Sequence, residues 1–196
     1  WILIDVGVTF GGVDTPGIDI ITPDPAFLED QGDRIDAIFL THAHEDHIGA
    51  IGLLYPRLNT RAPIYATAFT AHLAATKLME RGVANVDINI VSLGGKVDAG
   101  PFSVRYVTLT HSIPEPNALA ITTEFGTILH TGDWKIDPDP QLGAETDVEG
   151  LKKLGDEGVL AMICDSTNVF VDGESGSEGT VRQSLVELIA GLSGRV

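Results

Sequence analysis

The sequence has a single cysteine and few basic residues. Because Cys164 is alone among 196 residues, no disulfide can form within the chain, which favours a reducing, cytoplasmic location. In its apolar surroundings this thiol is expected to act as a small buried hydrophobic group. Only 12 Lys and Arg residues stand against 28 Asp and Glu, giving a formal net charge of −16. That balance argues against a protein that coats duplex nucleic acid with a broad basic face, but it allows a narrow site for one strand.

Long apolar runs are also lacking. No stretch approaches the roughly 18 uninterrupted apolar residues of a membrane span, so no membrane partner is expected. Trp1 opens directly into an apolar run without a basic region before it, which is unlike a signal peptide. Because the chain begins with Trp1 rather than Met, we expect further residues upstream.

Short apolar runs alternate with helical patterns along the chain, which predicts a mixed α/β fold. Residues 11–25 are rich in Gly, Pro and Asp and indicate a long loop. Residues 172–179 form a polar connector, the best candidate for a domain boundary. The predicted strands cover residues 1–6, 35–40, 64–66, 88–93, 103–110, 119–124, 127–130 and 159–164, the first and the last of them as buried strands. The predicted helices cover residues 48–58, 68–81, 148–154 and 180–192.

Three of the six histidines lie within residues 42–47, directly after a predicted buried strand. His42 and His44 are two apart in an extended segment and therefore project to the same side. Asp46 and His47 follow as the chain turns towards a helix, so they can face a second point nearby. Imidazole suits zinc, and carboxylate also suits harder ions such as manganese. The segment therefore predicts a site for two adjacent divalent metals, on a loop held by a rigid sheet.

One loop cannot fill two metal shells, so later residues are expected to contribute. His111 ends one predicted strand, and Asp133 follows another directly after Gly132. A carboxylate can bridge two cations. Taken alone, each of these two residues would fit an ordinary polar turn; with the histidine-rich segment present, both are predicted ligands. His130 is expected to support the ligands or to pack, rather than to bind metal.

These motifs, in this order, resemble the signature of the metallo-β-lactamase superfamily. Residues 5–10, 41–50, 111–115, 131–135 and 165–168 are together similar to the bacterial ribonuclease J family, in the β-CASP branch of that superfamily. The resemblance implies an α/β fold, the αβ/βα sandwich of two mixed sheets flanked by helices. It places a metallo-β-lactamase domain at residues 1–176 and the start of a β-CASP domain at residues 177–196. It also leads us to expect a fold that is incomplete at both ends, with a further histidine ligand and a phosphate-binding segment after Val196.

The resemblance also implies roles for individual residues. His42, His44 and His111 would hold one metal, Asp46 and His47 the other, and Asp133 would bridge them. Asp165 would be the proton donor, which requires a raised pKa that burial can supply; the alternative is that Asp165 only caps a turn with its neighbours. The residues expected to be catalytic are Asp165, Asp46 and His47.

The implied activity is that of a metal-dependent ribonuclease. It would hydrolyse RNA phosphodiester bonds through a hydroxide activated between two metal ions, zinc or alternatively manganese. The resemblance implies 5′-to-3′ exonuclease and endonuclease action in rRNA processing and mRNA decay. The expected partner is single-stranded RNA, for which Trp134 and Lys135 are candidate stacking and charge contacts, with packing as the alternative for Trp134.

Other interpretations remain open from the sequence. A hydrolase on the same fold can act on a lactam or a thioester, because fold does not decide substrate. A non-catalytic RNA-binding subunit is a further alternative. The full-length protein is expected to be a cytoplasmic homodimer or homotetramer, and residues 1–196 alone are expected to be weakly active or inactive because the last ligand would follow Val196.

Overall fold

The computed structural model describes residues 1–195, which form eleven strands and six α-helices. The strands are β1 (Ile2–Ile4), β2 (Thr9–Phe10), β3 (Ile20–Ile21), β4 (Ala37–Phe39), β5 (Ile64–Ala66), β6 (Ile88–Ile90), β7 (Lys96–Ala99), β8 (Phe102–Thr108), β9 (Asn117–Thr123), β10 (Gly126–His130) and β11 (Ala161–Ile163). The helices are α1 (Ala26–Glu29), α2 (Glu45–Ile48), α3 (Ile51–Leu54), α4 (Ala68–Glu80), α5 (Val148–Glu157) and α6 (Glu178–Ala190), with a 3₁₀ turn at Gly32–Arg34.

Two main sheets stand at the centre of the fold. The first has four parallel strands in the order β1-β4-β5-β6. The second has five strands in the order β11-β10-β9-β8-β7, antiparallel except for the parallel β10–β11 pair. A separate hairpin pairs β2 with β3. Both sheets place the carboxyl ends of several strands where ligand loops can meet.

Alternating apolar residues hold the layers together. Phe39 on β4 packs against Tyr106 of β8 and Leu119 of β9, which fills the space between the sheets. The other face of the first sheet is covered by α2, α3 and α4. The outer face of the second sheet is covered by Leu154 and Leu151 of α5. This layering confirms the predicted α/β sandwich, although among the described strands the first sheet is wholly parallel rather than mixed.

Several local predictions are wrong. Within the helix predicted for residues 48–58, α2 has already ended at Ile48 and only the four-residue α3 (Ile51–Leu54) is formed, and the loop predicted for residues 11–25 contains β3, which pairs with β2. The strand predicted as buried at residues 159–164 is β11, an exposed sheet edge that pairs only with β10 among the described strands. Cys164 follows this edge and is therefore half-buried rather than fully buried.

Helix α6 follows the polar connector. Ser177 begins it by accepting a hydrogen bond from the Thr180 backbone N–H, and none of its residues is buried. Among the described helices, none is long and apolar enough to cross a membrane.

Candidate metal centre

Acidic and histidine side chains gather where strands of both sheets end. Asp5 follows β1, His42 follows β4, His111 follows β8, Asp133 follows β10 and Asp165 follows β11. Because β1 and β4 are parallel, as are β10 and β11, their carboxyl ends reach the same edge of the sandwich. The sequence places a polar residue after each of these apolar strands, so the sheet itself positions the site.

Three imidazoles converge on one point. The distance from His42 Nε2 to His44 Nδ1 is 3.2 Å, and that from His44 Nδ1 to His111 Nε2 is 3.1 Å. Ligand atoms of these three residues and of Asp133 all lie within 4.8 Å of one another. His42 is fully buried. Three ring nitrogens facing each other at this separation suit a cation between them better than they suit each other.

A second group of ligand atoms adjoins the first. Asp46, His47 and Asp133 offer atoms that again lie within 4.8 Å of one another. His47 Nε2 is 3.2 Å from Asp133 Oδ1 and 3.8 Å from Asp46 Oδ2. The other oxygen of the shared carboxylate, Asp133 Oδ2, is 3.7 Å from His111 Nε2. Asp133 therefore belongs to both groups, and the structure brings together all six residues predicted as ligands.

The protonation of the histidines fits them for metal binding. Burial, followed by the neighbouring His47, His111 and His44, lowers the pKa of His42 to about 2. Burial and the neighbouring His44 also lower the pKa of His111. Neutral imidazole is the form that binds a metal. For His47, burial lowers the pKa, but the hydrogen bond to Asp5 and the nearby carboxylates outweigh it, so the net pKa is raised. A cation at Nε2 would take the place of that proton.

Asp5 is a site residue to which the sequence assigned no role. Its Oδ2 accepts a hydrogen bond from His47 Nδ1 at 2.7 Å, which leaves His47 Nε2 facing Asp133 and Asp46. Thr41 donates its hydroxyl to Asp5 Oδ2 at 2.7 Å and its backbone N–H to Asp5 Oδ1 at 2.8 Å. The signal for Asp5 was its position directly after an apolar strand, as for His42.

The same hydrogen bonds determine which nitrogen of His42 is free. Thr41 Oγ1 has one hydrogen, which goes to Asp5, so His42 Nδ1, 3.0 Å away, is the donor to Thr41 Oγ1. His42 Nε2 is then left without a proton and points at His44 and His111. Asp5 thereby orients His47 directly and His42 through Thr41, and this kind of support raises ligand basicity.

Two glycines allow the ligand loops to approach closely. A Cβ at Gly7 would lie 1.7 Å from the backbone oxygen of Asp46, so only glycine fits there. The backbone N–H of Val6 donates to His47 O at 2.6 Å, which holds α2 against the end of β1. Gly132 has φ of 57°, which turns the chain so that Asp133 faces the histidines.

Glu115 connects the loop that carries His111 to helix α4, which packs on the first sheet. Its carboxylate accepts a hydrogen bond from the Phe69 backbone N–H in the first turn of α4, at 2.9 Å. Its backbone oxygen accepts hydrogen bonds from Thr67 Oγ1 and Asn117 Nδ2. Glu115 adopts φ of 55°, an uncommon conformation for a residue other than glycine. The loop that carries one ligand from the second sheet is thus held by a helix packed on the first.

Asp165 lies beside the cluster, but its pKa is not raised as the sequence predicts. Burial does raise the pKa of Asp165, yet hydrogen bonds from the Thr167 hydroxyl and backbone N–H, at 2.6 and 2.9 Å, together with the nearby His111 and His47, outweigh it. The net pKa is lowered. Asp165 therefore caps a turn in this structure, with Thr167 as its partner rather than Ser166 or Asn168.

The remaining polar candidates have structural partners. His130 Nδ1 accepts a hydrogen bond from Gly132 N at 3.1 Å and so supports the turn before Asp133. Lys135 Nζ is 3.0 Å from both Asp137 and Glu178, which ties it to α6 instead of leaving it free for a substrate. Trp134 is 40% exposed.

A family model described as a β-lactamase superfamily domain matches residues 1–149. The chain belongs to the β-lactamase superfamily. Together with this fold, the His/Asp cluster indicates binding of divalent metal.

Within the superfamily, the predicted resemblance to ribonuclease J is confirmed. The chain is 50% identical to ribonuclease J of Sinorhizobium meliloti over 197 aligned residues and 44% identical to ribonuclease J of Mycobacterium tuberculosis over 195. Each alignment covers 100% of this chain but 35% of the relative. A crystal structure of a protein of unknown function from Enterococcus faecalis V583 shares the fold, with a TM-score of 0.60 at 17% identity, over 95% of this chain and 51% of that one.

Proposed function

We propose that this chain is the metal-binding part of a ribonuclease that hydrolyses RNA phosphodiester bonds with two divalent metal ions. The observation that carries the proposal is the pair of ligand groups that share Asp133. Such a pair matches the ligand arrangement that two-metal hydrolysis requires, in a chain 50% identical to a ribonuclease J. In this proposal His42, His44 and His111 hold one ion, Asp46 and His47 hold the other, and Asp133 bridges them.

When bound, the two ions supply Lewis-acid polarisation of a phosphoryl oxygen and a water of lowered pKa. The chain's own residues keep the ligand nitrogens available for this. His42 stays neutral because it is buried, and Asp5 holds the proton of His47 on Nδ1. Asp46 is more exposed than its partners, its side chain being 62% accessible, so the second half of the site faces the solvent from which substrate arrives.

We propose Asp165 as the residue that returns a proton to the leaving oxygen. Its pKa is low in the structure, so the role depends on the substrate. A phosphate group placed beside Asp165 would raise its pKa by like-charge repulsion. This makes protonation of Asp165 a consequence of RNA binding, and replacing Asp165 with Asn would slow cleavage without releasing metal.

The finer parts of the proposal concern the whole protein. We propose zinc as the working metal, with manganese as the alternative, and 5′-monophosphorylated single-stranded RNA as the substrate for exonuclease and endonuclease action. We also propose a cytoplasmic location, a homodimer or homotetramer, and a domain boundary near residue 177. The absence of buried residues in α6 supports that boundary, and light scattering on the whole protein measures its assembly.

The test is RNA cleavage by the whole protein loaded with zinc or manganese. We expect the wild-type protein to cleave 5′-monophosphorylated RNA, and we expect the substitutions Asp46→Ala and His47→Ala to abolish this cleavage. The matched control is Asp14→Ala, a change at an exposed loop position outside the cluster. Undiminished cleavage in the two ligand variants contradicts the proposal. Hydrolysis of a lactam or thioester without cleavage of RNA would instead assign another reaction to the same metal centre.

A further inference from the structure

Three basic side chains line a cleft on the outer face of the second sheet, away from the metal centre. Lys96 of β7, Arg105 of β8 and Lys153 of α5 surround a cleft of about 260 Å³. From Arg105 to His111 the chain advances six residues, which is about 20 Å of extended strand. The cleft is therefore a separate feature from the His/Asp cluster. Basic residues are scarce in this chain, which has 12 against 28 acidic ones.

The strand register places two of these cations directly opposite each other. Lys96 pairs with Arg105 in the antiparallel β7–β8 ladder. Like charges in such directly opposed positions are destabilising. The next residue in the same row is Ala120 on β9, whose small side chain leaves room beside Arg105. The pair of cations by itself does not stabilise the fold, whereas an anion bound between them would offset their repulsion.

A row of hydroxyl groups adjoins the row of cations. Ser103 pairs with Thr122, and Thr122 pairs with Thr127. Ser103 lies two residues from Arg105 on β8, so both side chains lie on the same face of the sheet. Thr122 Oγ1 and Thr127 Oγ1 are 3.0 Å apart, and all three hydroxyl residues line the cleft. The Ser103 hydroxyl hydrogen is donated to Asp98, and one threonine hydroxyl donates to the other, so the three cations and one threonine hydroxyl are the donors available to phosphate oxygens.

The acidic groups near the cleft neutralise it only in part. Glu157 also lines it and lies 3.7 Å from Lys153, while Asp98 is 3.9 Å from Lys96 and accepts a hydrogen bond from Ser103. The two lysine pairs are at exposed positions, where such pairs contribute little. Within residues 1–195, Arg105 forms no ion pair. Arg105 is half-buried, so its charge is the one that most lacks compensation.

We propose that this cleft is a phosphate-binding site, with Arg105 as its central contact and Lys96 and Lys153 beside it. Its ligand is a phosphate group, carried either by an RNA strand that passes over the second sheet or by a free small anion. The site does not depend on the metal centre, and it remains whether or not the chain cleaves RNA.

The experiment measures phosphate and RNA binding with the protein as purified, with and without the chelator EDTA. The chelator removes any phosphate response that arises at the metal centre. One arm follows the melting temperature as inorganic phosphate replaces chloride at constant ionic strength. The other follows the fluorescence anisotropy of a labelled single-stranded RNA of 15 nucleotides over a range of salt. The variants are Arg105→Gln and, at an exposed helix position, Lys153→Gln; Arg61→Gln, also exposed but outside the cleft, is the matched control.

We expect wild type and Arg61→Gln to respond alike and Arg105→Gln to bind about tenfold more weakly. If the ligand is an RNA strand, each lost cation should also reduce the salt slope of binding by about 0.7. A response to phosphate alone assigns the site to a free anion, and a response to RNA alone assigns it to a strand. No response in either arm, or equal responses of Arg105→Gln and wild type in the presence of EDTA, overturns the proposal.

Discussion

Asp5 shows how much of the metal centre depends on one residue that is not a ligand. It holds His47 directly and His42 through Thr41, and it adopts φ of 58° to do so. Such a conformation is sparsely populated by residues other than glycine and persists where the surroundings impose it. In this conformation the Asp5 carboxylate accepts hydrogen bonds from Thr41 and from His47.

We predict that Asp5→Ala weakens zinc binding by about 10- to 100-fold. Without the carboxylate, the protons of His47 and His42 are no longer held on Nδ1, and the two rings are no longer oriented towards the metal. Zinc titration against a competing chelator measures this. Asp5→Asn keeps an acceptor and should lie between Asp5→Ala and wild type, while the exposed Asp14→Ala should bind as wild type does. Equal zinc affinity in Asp5→Ala and wild type would contradict the assigned role.

The lowered pKa of His42 predicts how the stability of the metal-free protein changes as the pH falls. Its pKa is about 2 when folded, below its ordinary value of 6.5, so the unfolded chain takes up a proton that the folded chain refuses. Stability is therefore full above pH 6.5 and is lost as the pH falls below it. His111 and His130, whose pKa values are also lowered, act in the same direction, and His47, whose pKa is raised, opposes them.

The predicted loss from His42 alone is about 2 kcal/mol of unfolding free energy between pH 7 and pH 5. Urea unfolding of the metal-free protein at the two pH values measures it. His72→Asn, a histidine substitution at an exposed position of α4 outside the cluster, is the matched control. A loss of stability between pH 7 and pH 5 that is the same in metal-free His42→Asn as in wild type would show that His42 is not held neutral.

At the scale of elements, the metal centre depends on α2 lying directly against the end of β1. The contact is backbone to backbone, between Gly7 and Asp46 and between Val6 and His47. We predict that Gly7→Ala lowers the free energy of unfolding by about 2 kcal/mol and weakens the half-site of Asp46 and His47. Gly12→Ala is the control, since a Cβ there meets nothing within 4 Å. Wild-type stability and zinc binding in Gly7→Ala would refute the requirement for this contact.

Elements with a strong local signal could be predicted from the sequence. The strand before His42 is a continuous apolar run, and the ligand spacing after it is readable without a structure. The hairpin of β2 and β3 is different, because Thr9–Phe10 and Ile20–Ile21 are two-residue strands within a segment rich in turn formers. β7 alternates Lys, Val, Asp and Ala, too weak a pattern to stand out. Burial of β11 was predicted wrongly because an apolar run does not reveal that its strand lies at a sheet edge.

In the site, too, features that depend on local sequence could be predicted, whereas contacts between distant parts of the chain could not. The six proposed ligands are marked by residue type and spacing, so the sequence could predict them, and the structure brings them together. The lowered pKa of Asp165 depends on Thr167 and on His111, which reaches it only through the fold. Likewise Lys135 looked free to meet RNA, but its partner Glu178 lies far along the chain on α6. Such pairings are set by tertiary structure.

For the whole molecule, charge and exposure indicate where other surfaces lie. The net charge of −16 is partly offset where carboxylates bind cations, as proposed for Asp46 and Asp133. The cleft at Arg105 is a basic region in this acidic chain, and it lies on the outer face of the second sheet.

Apolar side chains on α6, including Leu185, Leu188 and Ile189, are at least half exposed. This chain spans 35% of the length of its ribonuclease J relatives, and its ligand centre is nevertheless assembled from both sheets.

The most direct measurement of the central claim is the number of zinc ions bound per chain, by equilibrium dialysis and elemental analysis. We predict two zinc ions in wild type and no more than one in Asp133→Ala, because Asp133 belongs to both ligand groups. Asp14→Ala should retain two. Less than one zinc ion per wild-type chain, or two ions held with unchanged affinity by Asp133→Ala, would contradict a two-metal centre bridged by Asp133.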